Sequence, residues 1–274
     1  NINGEIINAD SMQIYKQSKI LTARPSKKDQ KNIKHHLYGT VDVKNFFSTG
    51  HWLKHAIKKI YEIRKRKKTP ILVGGTGLYF NSLVNGLVKI PNIPIKFRKK
   101  IRLMQKKHGQ KKFYEKLLKI DPRVKGKINN NDTQRSIRAY EIKSYSKKSM
   151  YDWLAQTKSN FKQNEFLKLY INFERKKLIE RIEKRTIKMI KLGAVKEVKK
   201  FKTLKIPDQS SVNKVIGIKE LSKFLEKKIK IDEAKELITI KTRQYAKRQA
   251  TWARSKMTTW NRTDPKDLQL WIKN

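Results

Sequence analysis

The sequence contains no cysteine, few acidic residues and no long apolar run, and each absence argues against a class of protein. Without cysteine there is no disulfide framework, no thiolate metal site and no cysteine nucleophile. The sequence shows no apolar run of about 18 residues and no signal-peptide pattern at its start. We therefore expect a soluble, cytoplasmic protein that makes no membrane contact.

The shortage of acidic residues leaves a large excess of positive charge. Lys and Arg total 68 against 23 Asp and Glu, which gives a formal net charge of +45. A compact domain with this charge repels itself unless it binds a polyanion, so RNA is the leading partner. Alternatively, many of the lysines only solvate helix faces. The 37% of hydrophobic residues among 274 are enough for one large domain or two smaller ones.

Two short apolar runs in the first 90 residues predict parallel strands. Glu5–Ala9 and Pro70–Val73 are each followed by small or polar residues rather than by a hairpin turn. Apolar residues recur at helical spacing between them, which predicts a crossover helix and a βαβ unit. These residues are Trp52, Leu53, Ala56, Ile57, Ile60 and Ile63.

The middle of the chain is charged and poor in strand signals. From about Pro91 to Ser159, basic and apolar residues alternate at helical intervals, which predicts a helical insertion. We therefore predict an α/β fold in which residues 1–90 and 160–274 form a parallel-sheet core with C-terminal helices. Residues 91–159 form the mainly helical insertion.

The last third of the chain predicts one more strand and two long helices. Tyr170–Phe173 resembles a strand, and the apolar positions of 178–198 lie on one helical face. Gly193 is either internal to that helix or breaks it. A final helix is predicted to begin at the N-cap Asp232 and to extend to about Trp260.

Polar residues at the ends of the two predicted parallel strands are candidates for a functional site. Ligands of open parallel α/β sheets bind beyond the carboxyl ends of the strands, where Asp10 and Ser11 follow the first strand. The second strand is followed by a glycine-rich turn at 74–77, which allows close approach of a ligand. Alternatively, Asp10 and Ser11 only cap a turn, and the glycines only allow tight packing.

Seven sequence blocks in one order resemble the tRNA dimethylallyltransferase family, also called the tRNA isopentenyltransferase or IPP transferase family, in its bacterial form. The blocks are INADSMQIY (7–15), TARPS (22–26), HHL (35–37), PILVGGTGLY (70–79), NDTQRSIRAYE (131–141), VIGIKE (215–220) and TRQYAKRQATWAR (242–254). The resemblance covers nearly the whole chain. It implies a P-loop-kinase-like parallel sheet.

One family feature is missing from the sequence. Members of the family begin with a strand and a P-loop that hold the allylic diphosphate and help to bind magnesium, but no G-x-x-x-x-G-K-[ST] motif occurs here. The first strand and the P-loop are therefore expected to be absent, and we hypothesise a fragment whose activity is impaired.

For the intact enzyme the resemblance implies transfer of a dimethylallyl group from dimethylallyl diphosphate to an adenosine exocyclic amine. The acceptor is the adenosine immediately 3′ of the tRNA anticodon, and Mg²⁺ is the implied cofactor, with its ligands unknown. The family motif makes Asp10 the general base. Thr76 is expected to bind the RNA or to orient Asp10, and Arg185 to contact the diphosphate. Without the resemblance, Arg185 is simply a solvated residue of an amphipathic helix.

The resemblance also implies a tRNA-binding set that reads the anticodon loop as single-stranded RNA around an extruded base. Its members are Asp10, Ser11, Met12, Gln13, Thr76, Arg98, Gln134, Arg135, Ser136, Ile137, Arg138, Lys214, Gly217, Lys219, Lys247, Arg248, Gln249 and Arg254. Arg243, Lys247 and Arg254 are spaced so that they lie near one helical face. A monomer is expected.

Three further interpretations concern the remaining residues and the function. His51 and His55 have the spacing of a helical metal pair without the adjacent glutamate, which favours a surface helix. Trp252 is expected in the core rather than on a base. The alternative functions are an adenylate isopentenyltransferase and a non-catalytic RNA-binding remnant.

Overall fold

The computed structural model of the chain describes residues 2–207 and 210–273, which form two compact units. We call Asn1–Val84 with Lys162–Asn274 the core unit, and Asn85–Phe161 the insertion unit. The boundaries predicted from the sequence lie at residues 90/91 and 159/160. No helix within the described residues is long and apolar enough to cross a membrane.

The core unit contains two small parallel sheets. The first has the strand order β2–β1–β3, with β1 at Gly4–Asn8, β2 at His35–His36 and β3 at Thr69–Val73. Both partners run parallel to β1, so the carboxyl ends of the three strands lie at one edge. The second sheet pairs β4 (Leu169–Ile171) with β5 (Asn261–Thr263), also in parallel.

Helices make up most of the rest of the described chain. In chain order they are α1 (Lys27–Gln30), α2 (Thr49–Lys65), α3 (Gly77–Val84), α4 (Ile95–Ile120), α5 (Thr133–Ser146), α6 (Met150–Ala155), α7 (Arg175–Lys191), α8 (Ala194–Lys202), α9 (Ile218–Leu225), α10 (Ile231–Lys256) and α11 (Leu270–Lys273). Helices α4, α5 and α6 belong to the insertion unit.

The predicted parallel strands and the crossover helix are confirmed. The Ser48 hydroxyl accepts a hydrogen bond from the His51 N–H, as expected of an N-cap, and α2 then buries Trp52 and Ile60. The Trp52 indole stacks on Tyr79 of α3, with ring centroids 4.2 Å apart. The strand at His35–His36 was missed, because two half-buried histidines give no apolar run.

The insertion unit is helical, with its own apolar core. Leu117, Val124, Ile128 and Ala139 are buried together. Helix α4 is kinked at Gly109, whose φ of 71° lies in the left-handed region.

The C-terminal helices show that both predicted ends of the last helix were wrong, and they settle whether Gly193 interrupts the preceding helix. Gly193, with a φ of 98°, separates α7 from α8, so the predicted long helix is two helices. Asp232 is not an N-cap: α10 begins at Ile231 and is preceded by Lys230, and the Asp232 carboxylate pairs with Lys235. The last helix ends at Lys256, before Trp260, where the Met257 N–H donates to the Ala253 carbonyl.

Candidate active site

The carboxyl edge of the β2–β1–β3 sheet brings Asp10 and Thr76 together. The Thr76 N–H donates to the Ala9 carbonyl at 3.1 Å, which extends the pairing of β1 and β3 beyond the strands. The Thr76 hydroxyl accepts from the Ser11 N–H at 2.9 Å and lies 3.2 Å from the Ser11 hydroxyl. Thr76 therefore fixes the segment that carries Asp10.

The two oxygens of the Asp10 carboxylate differ in their hydrogen bonding. Oδ1 accepts from the N–H groups of Met12 and Gln13 at 2.8 and 3.2 Å. Oδ2 accepts no hydrogen bond within the described part of the chain. The capping interpretation of Asp10 is thus correct for Oδ1, and Oδ2 remains available to accept a proton.

Asn8 positions Asp10, and sequence reasoning missed it. Its buried side chain accepts from the Asp10 N–H at 2.8 Å and donates to the carbonyls of Asp10 and Leu37 at 3.0 Å each. The Asn8 carbonyl accepts from the Trp52 indole at 2.8 Å. A buried amide with its hydrogen bonds satisfied holds the strand end in one conformation.

Three tyrosines whose hydroxyls are affected by the Asp10 carboxylate were also missed. Burial raises the pKa of Tyr38 to about 12, and the negative charge of Asp10 adds to the effect. Burial also raises the pKa of Tyr79, with smaller contributions from Tyr15 and Asp10, and it raises the pKa of Tyr245 together with Asp10. All three stay neutral near pH 7 and can donate hydrogen bonds. Tyr79 and Tyr245 lie within the sequence blocks quoted above, and Tyr38 directly follows one, which was the signal available.

Arg185 of α7 supplies positive charge near Asp10. Displacement of water by the surrounding chain lowers the pKa of Arg185, and the Asp10 carboxylate acts in the opposite direction. A guanidinium nevertheless stays protonated, and Arg185 remains an exposed residue. Its Nη2 donates to the Leu21 carbonyl at 3.3 Å. The fold therefore brings Arg185 close to Asp10 although 174 residues separate them in sequence.

The glycine-rich turn is packed against the protein. A side chain at Gly74 would overlap the backbone of Ala9 and Asp10, and one at Gly77 would overlap the Trp252 indole of α10. The Gly75 carbonyl accepts from the Gln249 amide at 2.9 Å. Tight packing thus accounts for these glycines, which was the alternative to ligand approach.

The predicted tRNA-binding residues of the core unit differ in exposure. Gln13 donates to the Thr22 carbonyl at 3.1 Å, Gln249 is held by Gly75, and Gly217 (φ 105°) precedes α9. Ser11 and Met12 are half-buried. The exposed members are Lys214, Lys219, Lys247, Arg248 and Arg254.

Helix α10 carries several of these side chains on its surface. Arg243 is exposed as well, but it pairs with Glu183 at 2.7 Å. Arg248 lies over the Tyr245 ring at 5.5 Å from its centroid. Trp252 is half-buried, and its indole N–H has no hydrogen-bond partner among the residues the structure describes.

In the insertion unit, a buried carboxylate organises the predicted arginines. Glu141 is only 1% exposed, and Arg98 Nε and Arg138 Nη1 each lie 3.3 Å from its Oε2. Arg102, which was not predicted, has its Nε 3.7 Å from Oε1. Three guanidiniums around one carboxylate leave a net positive cluster.

The other predicted tRNA-binding residues of the insertion unit differ in their exposure. Gln134 and Arg135 are exposed at the start of α5, where Arg135 pairs with Asp132 at 3.4 Å. Ile137 is half-buried, and Ser136 is fully buried against Gln110. The Ser136 side chain therefore faces the interior and not the solvent.

His51 and His55 are exposed on α2, as the surface-helix interpretation predicted. The Phe47 ring packs against both imidazoles, at centroid distances of 5.8 and 6.3 Å. Across residues 2–207 and 210–273, no three His, Cys, Asp or Glu side chains cluster as metal ligands.

A parallel sheet with an aspartate at its carboxyl edge, together with many exposed cations, fits the class of enzymes that act on a polyanion. The profile of the IPP transferase family matches residues 13–256. This chain belongs to the IPP transferase family, and the family and enzyme class predicted from the sequence are confirmed.

Relatives and solved structures agree with this assignment. The tRNA dimethylallyltransferase of Pelagibacter ubique is 67% identical over 272 residues, which cover 99% of this chain and 87% of the relative. That of Rickettsia canadensis is 42% identical, covering 93% and 79%.

Two crystal structures are similar to this chain over nearly its whole length. A eukaryotic dimethylallyltransferase acting on tRNA has a TM-score of 0.82 at 29% identity, covering 100% of this chain and 70% of that one. The tRNA isopentenylpyrophosphate transferase of Bacillus halodurans has a TM-score of 0.66 at 31% identity, covering 96% and 82%.

Proposed function

We propose that the chain transfers a dimethylallyl group from dimethylallyl diphosphate to the exocyclic amine of the adenosine 3′ of a tRNA anticodon. The observation that carries the proposal is the Asp10 carboxylate, held through Oδ1 by two backbone N–H groups while Oδ2 accepts no hydrogen bond among the described residues. The tRNA substrate is supported by the names of the relatives, which also disfavour a free adenine nucleotide.

Asp10 serves as the general base in this proposal. The lone pair of an adenine exocyclic amine is delocalised into the ring, so the amine must lose a proton as its bond to carbon forms. The nitrogen attacks the first carbon of the dimethylallyl group, the carbon–oxygen bond to diphosphate breaks, and the proton passes to Asp10 Oδ2. The Asp10 carboxylate acts electrostatically on Tyr38, Tyr79 and Tyr245, and all three hydroxyls stay neutral near pH 7.

Arg185 stabilises the leaving diphosphate, on which negative charge develops. Mg²⁺ would supply further positive charge there. Mg²⁺ usually keeps several waters and binds substrate phosphate oxygens, so the diphosphate itself would supply part of its coordination.

Both units offer basic residues to RNA. In the insertion unit, the arginines around Glu141 suit a phosphate, because a guanidinium can pair with a second anion through its remaining N–H groups. In the core unit, Lys214, Lys219, Lys247, Arg248 and Arg254 are exposed cations. The Asp10–Gln13 turn would contact the extruded base.

Three finer predictions stay predictions. The relation of the sheet to the P-loop-kinase core is supported by its parallel strands and by a site at their carboxyl edge. The monomeric state and the cytoplasmic location rest on the sequence alone.

The test is incubation of the purified chain with Mg²⁺, labelled dimethylallyl diphosphate and unmodified tRNA that carries adenosines after its anticodon. Label should enter the tRNA, and replacing the acceptor adenosine by guanosine should abolish the incorporation. Label in free AMP but not in tRNA would favour the adenylate enzyme. Salt-sensitive tRNA binding without any transfer would favour the RNA-binding remnant.

A further inference from the structure

Glu197 lies outside the residues assigned above, yet it holds an irregular turn beside the site. Its carboxylate accepts three successive backbone N–H groups: Oε2 from Lys19 and Ile20 at 3.0 and 2.8 Å, and Oε1 from Leu21 at 3.0 Å. Residues 19–23 form bends and turns, so these amides have no strand or helix partner. A carboxylate is the strongest acceptor that three converging N–H groups can find.

The opposite side of the same turn contacts two residues of the proposed site. The Leu21 carbonyl accepts from Arg185 Nη2 at 3.3 Å, and the Thr22 carbonyl accepts from the Gln13 amide at 3.1 Å. The N–H groups of Lys19, Ile20 and Leu21 thus point towards Glu197. The carbonyls of Leu21 and Thr22 point towards Arg185 and Gln13. Fixing one side of the turn orients the other.

The turn is also clamped by packing. The Leu21 side chain is only 3% exposed, and a side chain at Gly217 would approach its Cδ2 to 2.6 Å. Glu197 itself lies in the first turn of α8, which buries Ala194 and Val198. The carboxylate is therefore presented from a packed helix.

We propose that Glu197 is a positioning residue that, through the turn at 19–22, fixes the Arg185 guanidinium and the Gln13 amide. The catalytic effect of this positioning rests on the proposed function, because Arg185 and Gln13 are assigned their roles in that reaction. The positioning itself is a property of the unliganded protein, and it can be measured without turnover.

The decisive variant is Glu197→Gln, because an amide keeps the shape but presents an NH₂ group to backbone donors. Amide hydrogen exchange in the 18–24 segment should accelerate about tenfold, the effect of losing one charged hydrogen bond. Modification of Arg185 by phenylglyoxal, measured by mass spectrometry, should also accelerate. Glu197→Asp, which keeps the charge, should show smaller changes, and melting curves establish that each variant is folded.

Kinetics separate positioning from a purely structural role. In Glu197→Gln, kcat for transfer should fall about tenfold while KM for tRNA changes less than about twofold. The loss of rate in the double variant Glu197→Gln, Arg185→Ala should be smaller than the sum of the two single losses, since part of the effect of the carboxylate acts through the guanidinium. Glu226→Gln is the matched control, because among the described residues that carboxylate pairs only with Lys202 and Lys228.

An unchanged modification rate of Arg185 in Glu197→Gln would overturn the proposal, as would additive effects in the double variant. If the unaltered protein transfers no prenyl group, that result counts against the proposed function alone, because exchange and modification need no turnover.

Discussion

At the residue scale, the chemistry depends on Asp10, whose two oxygens have different tasks. Asp10→Asn keeps an oxygen that can accept from the Met12 and Gln13 N–H groups but removes the base. We expect kcat to fall about 100- to 10,000-fold, the range for loss of a general base, with tRNA affinity nearly unchanged. Single-turnover transfer and filter binding measure the two quantities.

The control for this variant is Asp232→Asn, at an exposed position in the first turn of α10. It should leave transfer unchanged. Full activity in Asp10→Asn would remove the aspartate from the mechanism and direct attention to the neighbouring tyrosines.

At the scale of elements, the glycine-rich turn packs closely against α10. Gly77→Ala would push a methyl group into the Trp252 indole, so we expect the free energy of unfolding to fall by about 1–3 kcal/mol. Urea denaturation measures the loss. Trp252→Leu in the same chain should make the combined loss less than additive, and strict additivity would show that the two residues do not interact.

A second prediction at this scale concerns the buried ion pair that joins β1 to β2 and to the end of α2. Glu5 is 1% exposed, with Arg66 Nη2 and His36 Nε2 at 2.7 and 2.6 Å from its Oε2. The Arg66 hydrogen bond lowers the pKa of Glu5 from 4.5 to about 2, while burial opposes the shift. Because the folded pKa is depressed, this stabilisation is present above pH 4.5 and is lost as the pH falls towards 2.

Glu5→Gln should therefore flatten the pH dependence of the unfolding free energy between about pH 4.5 and 2. Urea unfolding at a series of pH values measures it. Glu236→Gln, at an exposed position of α10, should leave the profile unchanged. An equal flattening in both variants would mean that Glu5 has no special part in acid unfolding.

At the scale of the whole molecule, the net charge of +45 predicts strongly salt-dependent tRNA binding. Lys247→Gln and Arg254→Gln should each reduce the slope of log K against log salt by about 0.7–0.9 if each cation contacts one phosphate. Lys58→Gln, at an exposed residue of α2 outside the predicted set, should leave the slope unchanged. Equal effects of all three would indicate attraction to overall charge rather than a defined surface.

The sequence predicted most of what depends on local patterns. The apolar runs and polar strand ends located β1, β3 and Asp10, and helical spacing located α2, because these signals need only neighbouring residues. Asn8 and Glu197 could not be recognised, since their partners are set by turns and by contacts across the fold. The start of α10 was also predicted wrongly, because Asp232 is a residue type that often caps helices but lies inside the first turn of this one.

By itself, the sequence determined the fold class, the family and the identity of the candidate base, since apolar periodicity and ordered motifs are properties of the chain. Only the tertiary structure decided which groups surround that base. Arg185, Tyr38 and Tyr245 come from distant segments, and their proximity to Asp10 follows from packing of α7, α10 and the strand ends. The tertiary structure also showed why the turn contains glycines: side chains at Gly75 and Gly77 would collide with α10, and this contact exists only once the helix has packed.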